Sequence, residues 1–262
     1  MVDTHCHVLP GIDDGAKTLE EALTLCRIAS DDGIRTIAAT PHVMEYRYPN
    51  TRKTIEPAYQ ALAEAVEKEG IALKLVRGAE VHVAADLVKR LRDGELLTYD
   101  DNRRYMLLEF PFQPVLSGTE EIVYKLRLSG ITPVLAHPER IGFFMENLER
   151  LHKLVRLGAL AQVTGGSLMG RFGEKAEAAA WRMVERRLVH VVATDAHDAT
   201  HRPPRLREPV EELSRRIGPE EAGRMCDERP SAILEGKEIE PPEPVPQPKG
   251  LRGILGRLFS GS

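Results

Sequence analysis

Cysteine is scarce in this chain. Its 262 residues hold 3, at Cys6, Cys26 and Cys226, with no paired spacing. That excludes a disulfide framework and a thiolate-rich structural zinc site, and it suits a reducing, cytoplasmic setting. Long apolar runs are missing too, so no membrane span is expected. No leader is expected either: the N-terminus lacks the basic and apolar regions of one, and Asp3 and His5 come too early. Neither sign of charge dominates. The net charge is −4, which removes the global basic field that a nucleic-acid partner would call for. What remains is 42% hydrophobic and 29% charged, a soluble globular profile of a length for one large α/β domain.

The recurring feature is a pattern rather than a repeated sequence. A short apolar or β-branched stretch is followed by a longer helical one, about seven times. The strand candidates are residues 1–5, 35–40, 73–80, 105–110, 132–137, 159–164 and 190–195. Most are apolar throughout, as strands covered on both faces must be. The first helix opens on a capping box, Thr18 with Glu21, carries Leu19, Ala22, Leu23, Cys26 and Ala29 at helical spacing, and meets a stop at Gly33. Further helices are expected at 52–69, 84–93, 119–129, 146–157, 174–187 and 207–216, with short ones at 219–227 and 230–235. Such alternation predicts parallel strands with helices outside, in an open sheet or a closed barrel, and chemistry at the C-terminal strand ends.

The polar residues fall at those ends. His5 and His7 close the first strand, and their spacing turns both rings to one side. Asp13 and Asp14 follow in the next loop; then come His42, Glu80, Glu109, His137, and Asp195 with His197. The strand ending at Thr164 offers no strong ligand. Several buried carboxylates at one rim require a compensating cation. Imidazole and carboxylate without thiolate suit manganese, iron or zinc, and so many ligands fit two or three ions with Glu80 bridging. His152 and His190 lie on the wrong element or the wrong strand end, and His82 lies beyond Glu80; these three are left out.

Together, HCHVLPGIDDG, TPH, GAE, HPER and D-x-H followed by RPP resemble the polymerase-and-histidinol-phosphatase superfamily. Within it they resemble the bacterial protein-tyrosine phosphatases of capsular and extracellular polysaccharide operons, the CpsB/CapC type. The resemblance runs from Met1 to about Glu235. It implies a distorted TIM-like (β/α)7 barrel with a trinuclear, usually manganese, centre at the C-terminal rim. The implied ligands are His5, His7, Asp14, His42, Glu80, Glu109, His137, Asp195 and His197. Asp14 is preferred to Asp13 by similarity alone, since spacing does not separate them. Arg140 and Arg202 match the two arginines near the substrate phosphate, although either could equally pair with nearby carboxylates. The implied substrate is a phosphotyrosine protein, a membrane-associated bacterial tyrosine kinase. A cysteine-based phosphatase would need Cys-x5-Arg, but Ile12, Asp32 and Ala232 stand where the arginine would be. The competing readings are a phosphatase for a small phosphomonoester such as histidinol phosphate, and an inactive metal-binding module. An amidohydrolase also starts with His-x-His, but would want a lysine where Glu109 stands.

The domain is expected to span 1–236. A proline-rich, extended linker follows at 237–250. Residues 251–262 carry an apolar stripe, Leu251, Ile254, Leu255, Leu258 and Phe259, beside Lys249, Arg252 and Arg257. That reads either as a short anchor for the inner membrane face or a partner, or as a disordered tail weakened by Gly253 and Gly256.

Overall fold

A computed structural model describes residues 1–112 and 118–246. Every expected strand position forms. They are β1 (Val2–Cys6), β2 (Thr36–Ala39) with β3 (His42–Val43), β4 (Lys74–Arg77) with β5 (Glu80–His82), β6 (Tyr105–Glu109), β7 (Thr132–Ala136), β8 (Leu160–Thr164) and β9 (Val191–Ala193). The second and third positions are each broken in two. Pro41 has no N–H to give a ladder. On the neighbouring strand Gly78 lets Thr40 and Tyr99 approach, where a Cβ would lie 3.2 and 3.3 Å from them. Register survives the break: Ala39 faces Arg77, and His42 faces Glu80.

All strand pairings between the named strands are parallel, in the orders β1-β2-β4 and β3-β5-β6-β7-β8-β9. The ring closes where Cys6 bridges Ala196, with Asp195 N–H donating to His5 O at 2.8 Å and His7 N–H to Ala196 O at 2.9 Å. The fold is therefore a distorted seven-position barrel rather than an open sheet.

The helices are α1 (Leu19–Asp32), α2 (Arg52–Lys68), α3 (Leu87–Arg92), α4 (Thr119–Leu128), α5 (Gly142–Glu146), α6 (Leu148–Arg156), α7 (Gly165–Leu168), α8 (Glu174–Glu185), α9 (Arg207–Ile217), α10 (Pro219–Gly223) and α11 (Arg229–Leu234). Thr18 Oγ1 accepts from Glu21 N–H, and Gly33 ends α1 at φ 93°. The helix expected over 146–157 starts later, at Leu148, because Asn147 takes an extended conformation and caps α6 by accepting from Glu149 N–H. The short α5 before it and α7 after β8 were not foreseen.

Two apolar layers follow from the period of two. Ala38, Val76, Leu107, Val134, Leu160 and Val191 point inward and pack with Tyr99 and with Ile233 and Leu234 of α11. Their neighbours Ile37, Leu108, Leu135, Ala161 and Val192 point outward against the helices. The inward face turns polar two or four residues later, at Glu80, Glu109 and Gln162. β1 reaches the same result through a bulge. Its pairing with β2 slips between Asp3 and Cys6, so Thr4 and His5 together oppose one residue. The slip turns His5 and His7 inward and sends Cys6 into the outer core.

Residues 237–246 lie along the barrel: Tyr105 Oη donates to Lys237 O at 2.8 Å, and Val245 N–H to Arg186 O at 2.9 Å. The apolar stripe of 251–262 lies outside the described residues.

His190 sits at the opposite, N-terminal end of the barrel, where its Nδ1 accepts from Ala161 N–H at 3.0 Å. Burial, helped by Arg229, pushes its pKa from 6.5 down to about 3. Between those values the unfolded chain binds the extra proton, so this contribution to stability is whole above pH 6.5 and is lost on acidification. His190→Asn, whose Oδ1 can replace Nδ1, should shed that loss. Chemical denaturation at pH 7 and pH 5 should show wild type losing roughly 1–2 kcal/mol more than the variant.

Candidate metal centre

Nine side chains predicted from the sequence meet at the C-terminal rim. Glu80 is their hub and is fully buried. Its Oε2 lies 3.3 Å from His5 Nε2, 3.3 Å from His7 Nε2 and 2.9 Å from His42 Nδ1. Its Oε1 lies 3.0 Å from His137 Nε2. Glu109 approaches His42 at 3.4 Å and His137 at 3.7 Å. Asp195 Oδ1 approaches His5 at 3.4 Å and His7 at 3.5 Å. Asp14 Oδ1 lies 3.5 Å from both His42 Nε2 and His197 Nε2. His137 and Asp195 turn their side chains inward from left-handed backbone at φ 34° and 51° where their strands end. The three histidines set aside from the sequence stay outside: His152 pairs with Glu149 on α6, His190 is at the far end, and His82 ends β5 without joining the cluster.

Asp13 and Asp14, alike in the sequence, differ in space. Asp13 Oδ2 takes His7 Nδ1 at 2.8 Å and accepts from His42 N–H at 3.0 Å, while Oδ1 accepts from Gly15 N–H. Asp13 therefore braces His7 from behind, and Asp14 faces the cluster. Gln162 does the same for His5 and was missed, because a lone glutamine in an apolar strand carries no ligand signal.

The electrostatics are those of a site built around positive charge. Burial pushes the Glu80 carboxyl up, but the surrounding histidines outweigh it and hold it well below its usual range. Asp195 is likewise held low against burial, by His5, His7, Arg202 and Arg140. Burial opposes charge on His42, yet Glu109 and Glu80 raise its pKa to about 10. Protons here stand in for cations.

Ligand atoms gather in three overlapping groups, each within 4.8 Å: His7, Asp14, His42 and His197; His5, His7 and Glu80; His42, Glu80 and Glu109. Asp14 Oδ1, His42 Nδ1, Glu80 Oε2 and Glu109 Oε2 are buried with no hydrogen-bond partner. Close approach without hydrogen-bond alignment leaves lone pairs aimed at shared space. The donor set fits divalent metal on this count.

Arg140 and Arg202 stand at the mouth. Both contact Asp195 Oδ2, Arg202 at 2.6 Å, and Arg202 also donates to Asp195 O at 2.9 Å. Phe172 lies under both guanidinium groups, at 4.3 and 5.6 Å. Phe112 stacks on His137, and Tyr48 on His42. No spacing along the chain marks these aromatics as part of the site.

The sequence model of the family "Capsular polysaccharide synthesis, CpsB/CapC" matches residues 1–235. The chain belongs to the CpsB/CapC family. Among its relatives, tyrosine-protein phosphatase YwqE of Bacillus subtilis (strain 168) is 38% identical over 251 residues, covering 95% of this chain and 98% of YwqE. Tyrosine-protein phosphatase CpsB of Streptococcus pneumoniae is 29% identical over 239 residues, covering 89% and 98%. Crystal structures of YwqE from Bacillus subtilis and CpsB from Streptococcus pneumoniae, described as unique metal-dependent tyrosine phosphatases, include a chain that superposes with a TM-score of 0.90 at 36% identity, covering 95% of this chain and 100% of that one. The lactonase Lmo2620 of Listeria monocytogenes shares the fold alone, with a TM-score of 0.55 at 13% identity over 90% of this chain and 95% of its own.

Within this CpsB/CapC member, Gly15 lets the loop of Asp13 and Asp14 close on His7. A Cβ there would lie 1.9 Å from His7 O. Gly15→Ala should displace Asp13 and His7 together. Thermal unfolding of the metal-free chain should show a loss of roughly 1–3 kcal/mol, and elemental analysis should show metal content falling with it.

Proposed function

We propose that this chain is a metal-dependent protein-tyrosine phosphatase that acts on a membrane-associated bacterial tyrosine kinase of capsular or extracellular polysaccharide synthesis. It would act in the cytoplasm, at the inner face of the membrane. No helix among the described residues is long and apolar enough to cross a membrane. The observation that carries the reading is the set of three ligand groups sharing His7, His42 and Glu80 beneath two arginines. The kinship with YwqE and CpsB supports it.

The metal ligands in this reading are His5, His7, Asp14, His42, Glu80, Glu109, His137, Asp195 and His197. They would hold two or three divalent ions, with manganese the choice among manganese, iron and zinc. Bound there, such ions supply a Lewis acid for phosphoryl oxygens and lower the pKa of water. The chain does the rest. Glu80 and His42 each face two of the groups and so would be shared between the ions held there. Arg140 and Arg202 offer planar paired donors to the equatorial phosphate oxygens. Phe112 and Phe172 give the phenyl ring of the substrate an apolar border. The phenolate leaving group, with a pKa of about 10, needs less acid assistance than an alkoxide. No thiol takes part: the three cysteines are buried, and burial pushes Cys26 and Cys226 up to about 12.

Two tests separate the parts. Chelation should abolish turnover of a phosphotyrosine peptide, manganese should restore it, and Cys6, Cys26 and Cys226 replaced together by Ser should leave it standing. Turnover of histidinol phosphate but not of the peptide would favour the small-substrate reading. Arg202→Ala should raise KM for the peptide roughly 10–100-fold while metal content, read by elemental analysis, stays unchanged.

A further inference from the structure

The strand that brings no imidazole or carboxylate to the rim, β8, brings Gln162 instead. It is fully buried on the inward face. Its Nε2 lies 2.8 Å from His5 Nδ1, and its Oε1 accepts from Thr4 Oγ1 at 2.6 Å. We propose that Thr4 and Gln162 form a reversible hydrogen-bond relay that sets the tautomer of His5, and with it the availability of His5 Nε2 to metal. The inference rests on the metal reading above.

The argument is one of proton accounting. A neutral imidazole carries one N–H. His5 Nε2 faces the cluster, 3.0 Å from His7 Nε2 and 3.3 Å from Glu80 Oε2. With the amide nitrogen donating to Nδ1, the ring proton sits on Nε2, and that atom has no lone pair to offer. Turning the amide over about its terminal bond puts oxygen against Nδ1. Nδ1–H then donates to it, Nε2 is freed, and the amide NH2 donates to Thr4 Oγ1. A primary amide and a hydroxyl both donate and accept, so the two contacts serve either state without moving a heavy-atom position.

The other histidines of the first strand and last loop lack this freedom. His7 Nδ1 faces the Asp13 carboxylate at 2.8 Å, and His197 Nδ1 faces the Asp195 carbonyl at 3.1 Å. Both partners only accept, so both rings keep Nε2 open. Gln162 makes His5 the one of the three that answers to metal loading, and it is a positioning residue rather than a catalytic one.

The test uses the full chain, equilibrium dialysis against manganese and elemental analysis, with melting in chelator as the check on folding. Gln162→Leu should weaken manganese binding roughly 10–100-fold. Gln162→Glu, which accepts only, should bind as tightly as wild type or tighter. Thr4→Val should bind more weakly than wild type, though less weakly than Gln162→Leu. Equal binding by wild type and Gln162→Leu would overturn the proposal, and so would a Gln162→Glu loss as deep as that of Gln162→Leu. If Gln162→Leu does not fold, wild-type binding by Thr4→Val would overturn it. A wild-type chain that binds no manganese overturns the metal reading itself, and this inference with it.

Discussion

A carboxylate with no access to water sits among four imidazoles at the centre of this protein. Glu80 contacts His5, His7, His42 and His137 at 2.9–3.3 Å, and its Oε2 has no aligned donor. An ionised carboxyl in such a place costs several kcal/mol unless positive charge surrounds it. Protons on the histidines answer part of that cost, and divalent ions would answer it more fully. The other imidazoles and carboxylates of the rim, the arginines at the mouth and the second layer behind the rings are arranged around this one requirement.

The barrel meets it by simple means. Alternation along parallel strands puts an apolar residue low and a polar one high on the same inward face, as with Leu107 and Glu109 or Leu160 and Gln162. Where alternation alone would fail, a local irregularity corrects it. The β1 bulge turns His5 and His7 inward, the break at Pro41 sets His42 opposite Glu80, and left-handed backbone aims His137 and Asp195.

Much of this could be read from the residues. Apolar runs marked all the strand positions because both faces are covered, and the polar strand ends marked the rim. Closure of the ring was not in the periodicity, which allows an open sheet as readily; it came from the family resemblance and depends on the Cys6–Ala196 bridge. Asp13 and Asp14 could not be told apart by spacing, since only the path of the loop around Gly15 decides which one braces His7. Gln162 was invisible because its role depends on a neighbour 157 positions away. The split before α6 was missed because Asn147 reads as tolerable within a helix until its capping bond is seen.

The central claim is that Glu80, His42 and their neighbours surround cations. Anomalous diffraction from crystals grown with manganese addresses it most directly. The account predicts peaks at coordination distance from Glu80 Oε2 and His42, with Asp14 and His197 on one side and His5 and His7 on the other. Peaks confined to the surface, with these side chains bonded only to each other and to water, would contradict it.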